Sequence, residues 1–166
     1  RQQQAELQAR LQALQARIRP HFLFNSLNSI ASLIGSNPDK AEHAVLDLSD
    51  LFRASLAKPN ALSTWRDELA LAKQYLSIEQ YRLGKRLQVV WNIENVSNDL
   101  PIPHLTVQPL LENAVIYGIQ PSIQGGCIEI NATYLQGVLK LQVSNPFMHS
   151  DTSSNPRGTR LALNNI

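Results

Sequence analysis

Cysteine is nearly absent from this sequence, which has only Cys127 among its 166 residues. A lone cysteine excludes an internal disulfide and a cysteine-based zinc cage, and it fits a reducing, cytoplasmic setting. Aromatic residues make up 6% of the chain and charged residues 17%, whereas 43% are hydrophobic. This composition is typical of a globular protein with enough apolar material for a core.

Charge and long apolar runs are also scarce. The net charge of +2 is too small to predict direct nucleic-acid binding. No apolar run approaches the ~20 residues of a membrane span, and no signal-peptide pattern opens the chain. Because the sequence begins at Arg1 and stops abruptly at Ile166, we expect a fragment of a longer protein, whose other parts can include a membrane anchor.

The first 34 residues contain two amphipathic helical patterns that meet near Pro20. Both have apolar residues spaced 4, 3 and 4 apart, which is typical of a coiled-coil seam. The first pattern consists of Leu7, Leu11, Leu14 and Ile18, and the second of Leu23, Leu27, Ile30 and Ile34. Proline inside a helix removes a backbone hydrogen bond, so a helix that continues past Pro20 should kink.

The two seams are out of register with each other. The five-residue step from Ile18 to Leu23 shifts the seam by two positions and turns the apolar stripe by about 200°. Polar residues continue the old register on the opposite face, namely His21, Asn25, Asn28 and Ser32. We therefore predict that His21 faces solvent.

A second helix is predicted after Asn37-Pro38, a helix-capping residue followed by proline at the first helical position. Its apolar face consists of Ala41, Val45, Leu48 and Phe52, and it ends before Pro59. Two amphipathic helices joined by a short turn make a helical hairpin. Two such hairpins pair naturally as a four-helix bundle, so we expect a homodimer.

The remainder of the chain has mixed patterns, and we place a domain boundary near residue 61. The predicted elements are a helix capped by Thr64 and ended by Gly84, a strand over Leu87–Val96, a helix within Leu105–Ile119 that Pro109 either interrupts or starts, a hairpin of Cys127–Tyr134 and Val138–Val143, and a last helix from Leu161. Helices beside a mixed sheet define an α+β fold.

Three ordered blocks carry a family resemblance that extends from about Gln15 to Ile166. Pro20-His21-Phe22-Leu23-Phe24-Asn25 with Leu27-Asn28 resembles the phosphoacceptor box of the LytS/YehU-type sensor histidine kinases. The pattern from Leu48-Ser49 to Arg86-Leu87 agrees with the same family. Gln108-Pro109-Leu110-Leu111-Glu112-Asn113-Ala114, followed by Gly118, is similar to that family's N box.

The resemblance implies a two-domain organisation and a function. Residues 1–61 would form the coiled coil and the dimerisation and phosphotransfer hairpin, and residues 62–166 an incomplete GHKL (Bergerat-type) α/β sandwich that binds ATP. The implied activity is ATP-dependent autophosphorylation followed by transfer to an aspartate of a response regulator, often of the LytTR type. The chain would be the cytoplasmic region of a membrane-anchored sensor.

The resemblance also assigns roles to individual residues. His21 would attack the γ-phosphorus of ATP, and Asn25, one turn further on, would orient the imidazole or place a water for dephosphorylation. Asn113 would hold Mg²⁺ through its side-chain oxygen, with Glu112 acting on a metal-bound water or tuning the site. Asn145, Gly158 and Thr159 would bind the nucleotide.

Several positions depart from the family pattern. Ile116-Tyr117 replaces a basic residue and histidine, Asn145 stands where an aspartate is usual, and Arg160 and Ala162 replace glycines. If Asn145 meets adenine as the resemblance implies, its neutral acceptor would weaken binding by about 1 kcal/mol. The degenerate adenine block is similar to that of alginate-type sensors. Two alternatives follow: a degenerate kinase acting as a phosphatase, phosphotransfer or docking module, and a purely structural coiled coil, which the N box disfavours.

Overall fold

The computed structural model describes residues 2–6, 20–56, 61–146 and 161–164. Residues 2–6 are helical and are labelled α1. The predicted first seam, from Leu7 to Ile18, lies outside the described residues. The coiled-coil assignment therefore stays a prediction.

The helical hairpin is formed by α2 (Pro20–Ser36) and α3 (Pro38–Ser55). Asn37 connects them and caps α3, because its side-chain oxygen accepts a hydrogen bond from the N–H of Lys40 at 3.2 Å. Pro38 occupies the start of the helix, where its missing N–H costs nothing. The predicted connection between the two helices is confirmed.

The apolar stripe of α2 divides between two surfaces. Ile30 is buried and Leu23 is half-buried, but Leu27 is 49% exposed and Ile34 61% exposed. The inward face instead centres on Ser26 and Ile30, both buried. In a single chain, α2 thus packs along one side of the stripe and leaves the other side uncovered.

The second half begins with a two-stranded sheet and a long helix. Strand β1 (Leu62–Thr64) pairs antiparallel with β3 (Pro101–Pro103). Helix α4 (Trp65–Leu83) is capped by Thr64, whose hydroxyl accepts from the N–H of Asp67 at 3.3 Å. The helix ends at Gly84, which has a φ of 56°, and a 3₁₀ turn follows over Gly84–Arg86.

The main sheet has four strands in the order β2-β4-β5-β6. They are β2 (Leu87–Glu94), β4 (Gly126–Leu135), β5 (Val138–Ser144) and β6 (Leu161–Asn164). The β2–β4 pair is parallel, and the other two pairs are antiparallel. Gln136 and Gly137 form the β4–β5 turn with φ values of 51° and 77°, which confirms the predicted hairpin.

The helices predicted within Leu105–Ile119 and from Leu161 have different outcomes in the structure. Helix α5 (Gln108–Ala114) has Pro109 in its first turn and is continued by a π-helical turn over Val115–Ile119, which agrees with the alternative that Pro109 starts the helix. Leu105 stays outside the helix because it has a left-handed φ of 56°. The helix predicted from Leu161 is wrong. That segment is β6, which pairs with the free edge of β5, Leu161 opposite Leu141.

One apolar core joins both halves of the described chain. Its fully buried members include Leu51 of the hairpin, Trp65 of α4, Leu111 of α5 and Ile128 and Ile130 of β4. Helices beside mixed sheets confirm the α+β class. None of the helices in the described ranges is long and apolar enough to span a bilayer.

Candidate functional site

Helix α5 presents the predicted metal ligand on its outer face. Leu111 and Ala114 are buried against the core, Glu112 is half-buried and Asn113 is exposed. Buried Gln108 donates from Nε2 to Glu112 Oε1 at 3.0 Å. A hydrogen bond within the helix thus positions Glu112, while Asn113 lies on the exposed face.

A second carboxyl group, which the sequence analysis did not assign a role, is associated with this helix. Glu79 of α4 is 4% exposed and forms an ion pair with Arg82. Burial raises the pKa of Glu79, the Arg82 cation opposes the increase, and the charge of Glu112 adds to it. In the sequence, the only indication that Glu79 is buried is its position on the apolar face of α4, between Tyr75 and Leu83.

The structure brings Gly118 of the N-box block close to Asn145, a predicted nucleotide-site residue. A Cβ built on Gly118 would lie 2.5 Å from Asn145 Nδ2 and 2.6 Å from its Cβ. The missing side chain of Gly118 therefore lets the end of the N-box helix approach the residue that follows β5. Asn145 Nδ2 donates to the carbonyl of Pro146 at 3.1 Å.

Arg86 binds the loop that follows the N-box helix. Arg86 donates from its guanidinium to the carbonyl of Ser122 at 2.6 Å and to that of Gln120 at 3.2 Å. A Cβ on Gly125 would come within 2.0 Å of the Arg86 carbonyl oxygen. Arg86 thereby holds the loop after the N-box helix to the start of β2, a role that the sequence analysis did not predict.

The phosphoacceptor block lies in the first turns of α2. The backbone of His21 is helical, and Asn25 is half-buried one turn further on. The ring of Phe22 lies 5.2 Å from that of Tyr75, centroid to centroid, so the start of α2 packs on α4. The side chain of His21, together with Gly158 and Thr159, lies outside what the structure describes.

Two further observations concern possible ligand sites elsewhere. A cavity of about 280 Å³ lies between α4 and β2, where Lys73, Ser77, Tyr81, Val89 and Trp91 are among its lining residues. None of the predicted site residues lines it. Within the described ranges, no group of three or more histidine, cysteine, aspartate or glutamate residues could hold a metal ion.

Comparison with known proteins identifies the class. The family model described as histidine kinase matches residues 9–87. The sensor histidine kinase YpdA of Escherichia coli is 43% identical over 74% of this chain and 22% of its own length. BtsS of the same species is 36% identical over 80% of this chain and 24% of its own length. The sensor histidine kinase/phosphatase LytS of Staphylococcus aureus is 34% identical over 95% of this chain and 29% of its own length.

The chain therefore belongs to the histidine kinase family, of the type that LytS, BtsS and YpdA represent. It spans about a quarter of the length of these relatives. Among solved structures, the histidine kinase AdeS of Acinetobacter baumannii has a TM-score of 0.39 at 16% identity, over 88% of this chain and 75% of that chain. That score does not establish a shared fold.

Proposed function

We propose that this chain is the kinase region of a two-component sensor that phosphorylates itself on His21 with ATP and then passes the phosphoryl group to a response regulator. The observation that carries the proposal is the approach of Gly118 to Asn145 beside the helix that bears Asn113. Asn113 and Asn145 are far apart in the sequence, and both were predicted to bind the same nucleotide. The relatives, which are named sensor histidine kinases, support the same function.

The residues present fit a nucleotide with a magnesium ion. Asn113 is exposed on α5 and offers an amide oxygen, a hard ligand suited to Mg²⁺. Because Asn145 Nδ2 donates to Pro146, its Oδ1 is the atom that would accept from the adenine amino group. Gly158 and Thr159 would bind the phosphates, and Arg160 would either contact a phosphate or block the pocket. Magnesium, when bound, would neutralise charge on the phosphate oxygens.

The phosphoacceptor chemistry requires little of the protein beyond positioning. A neutral imidazole nitrogen of His21 would form a bond to the γ-phosphorus while the bond to the bridging oxygen breaks. ADP would leave with that electron pair, and the imidazole would release its N–H proton to solvent. Asn25, one turn along α2, would orient the ring during this step or place the water that later removes the phosphoryl group.

The uncovered face of α2 supports a homodimer of the hairpins. Phe24 is 64% exposed, and Leu27 and Ile34 lie 49% and 61% exposed on the same side of the helix. Apolar patches of this kind mark interaction surfaces. A second copy of the hairpin would cover them in a four-helix bundle, in front of a GHKL-type domain built on residues 62–166. In the whole protein this region would be the cytoplasmic part of a membrane-anchored sensor.

Phosphorylation of the full-length protein tests the proposal. Incubation with γ-labelled ATP and Mg²⁺ should label the wild type and not His21→Gln, while His43→Gln, at an exposed position of α3, should be labelled normally. The label should be acid-labile and base-stable, as a phosphoramidate is, and should pass to a cognate LytTR-type regulator. Label that persists in His21→Gln would refute the mechanism. A wild type that never labels but dephosphorylates the regulator would establish the degenerate alternative.

A further inference from the structure

A half-buried histidine, His104, lies between the hairpin and the second half of the chain. Nδ1 of His104 is 3.2 Å from Glu68 Oε1, and its Nε2 is 2.6 Å from the carbonyl oxygen of Ala54. Ala54 belongs to the last turn of α3. The His104 side chain is only 10% exposed, so both contacts are shielded from water.

Glu68 connects this histidine to the start of the N-box helix. Its carboxylate is fully buried and accepts the backbone N–H groups of Leu105 and Thr106, each at 3.1 Å. Leu105 has a φ of 56°, a conformation that residues with a Cβ rarely adopt. Successive N–H groups in such a turn form a concave anion site, and the Glu68 carboxylate fills it. The turn leads within two residues into α5.

The hydrogen-bonding capacity of imidazole makes the contacts of His104 sensitive to the position of the last turn of α3. Both ring nitrogens of His104 face oxygen acceptors, on Glu68 and on Ala54. A neutral ring carries a single N–H and donates to one of them, whereas a ring with hydrogen on both nitrogens donates to both. Since Glu68 also holds the turn before α5, a displacement of the last turn of α3 must either move the ring or break a contact.

We propose that His104 is a positioning residue that couples the hairpin to the nucleotide site: it transmits the position of the last turn of α3, through Glu68, to the turn that starts α5. Helix α5 carries Asn113, so the coupling would let the signalling helices adjust the site. Its regulatory purpose rests on the proposed function, but the mechanical coupling can be measured without nucleotide.

Amide hydrogen exchange at Leu105 and Thr106 tests the coupling in the full protein. The perturbation is Ala54→Gly, which loosens the last turn of α3 and keeps the Ala54 carbonyl. With His104 present, Ala54→Gly should speed exchange at both amides about fivefold. In a His104→Asn background, whose shorter amide can still donate to Glu68 but cannot reach Ala54, it should add nothing. His43→Asn, at an exposed site on α3, is the matched background in which the fivefold response should remain.

Amides of β4 serve as the internal standard for global unfolding, and exchange is compared relative to them. His104→Gln, whose longer side chain can reach Ala54, should recover part of the response. An equal response to Ala54→Gly in the His104 and His104→Asn backgrounds would overturn the proposal, as would the absence of any response in the wild type.

In a second part of the experiment, hydrogen exchange is measured with ATP and Mg²⁺ present. By reciprocity of coupling, binding should change exchange of residues 52–56 in the wild type and not in His104→Asn, although calorimetry shows both proteins to be saturated. Binding without any change at residues 52–56 in the wild type would contradict the coupling. Absence of binding in calorimetry would instead refute the proposed nucleotide site, and the nucleotide-free arm would still decide the role of His104.

Discussion

Gly118→Ala is a minimal change that tests the proposed nucleotide site. The added methyl would lie 2.5, 2.6 and 2.8 Å from Nδ2, Cβ and Cγ of Asn145, whereas carbon atoms pack at about 3.5–4.0 Å. Because the close atoms include the Cβ of Asn145, a rotation of its amide group cannot relieve the contact. Asn145 must therefore retreat by about 1 Å (the difference between those distances).

The expected change in the stability of Gly118→Ala is the sum of two opposing effects. Overpacking of this kind costs about 1–3 kcal/mol of stability, while replacing a helical glycine by alanine returns about 0.5–1 kcal/mol. We therefore expect a net loss of up to about 2.5 kcal/mol. A retreat of Asn145 also removes one hydrogen bond to adenine, worth about 0.5–1.5 kcal/mol, so the Kd for ATP should rise about twofold to tenfold.

Calorimetric titration with ATP and Mg²⁺, alongside urea unfolding, measures both effects. Gly35→Ala is the matched control, since nothing lies within 4 Å of its Cβ position. That variant should keep the wild-type Kd and gain up to about 1 kcal/mol of stability. An unchanged Kd in a folded Gly118→Ala protein would show that Asn145 does not contact the nucleotide.

Three further predictions follow from the described residues. Leu27→Asp combined with Ile34→Asp places charges on the exposed apolar face of α2 and should convert dimers to folded monomers in sedimentation, because a buried unpaired charge is costly; persistent dimers would place the interface elsewhere. Asn145→Asp should tighten ATP binding about fivefold in calorimetry, through a charge-assisted bond, unless the adenine lies elsewhere. Burial raises the pKa of Glu79 above the ordinary value of 4.5, so the folded state binds the proton more tightly than the unfolded state. The wild type should therefore lose stability relative to Glu79→Gln as pH rises from about 4.5 through the raised pKa; urea unfolding that gives a pH-independent difference would refute this.

Local signals in the sequence determined where most elements begin and end. Asn37 and Thr64 cap their helices by accepting an N–H three residues further on, a geometry set within one turn of chain. Gly84 and the pair Gln136-Gly137 mark positions with positive φ, which few residues adopt at low cost. Such features depend on neighbouring residues alone, so the sequence predicts them correctly.

Residue identity and order also determined the family. The phosphoacceptor and N-box blocks are contiguous strings, and the comparisons agree with the resemblance that they carry. The same strings place Asn113 on the outer face of its helix, since its neighbours Leu111 and Ala114 are apolar and buried. The roles of His21 and Asn113 remain predictions, because they depend on a nucleotide and a partner rather than on the chain alone.

Features that join distant segments depend on the packing of the whole chain and could not be predicted from the sequence. The segment from Leu161 is a strand and not a helix because β5 offers an unpaired edge, and a short apolar pattern does not by itself distinguish the two. The contacts of Gly118 with Asn145 and of His104 with Glu68 and Ala54 depend on how the sheet and helices pack. The free energy of such contacts comes from excluding water between surfaces brought together by the whole fold, and no local pattern encodes it.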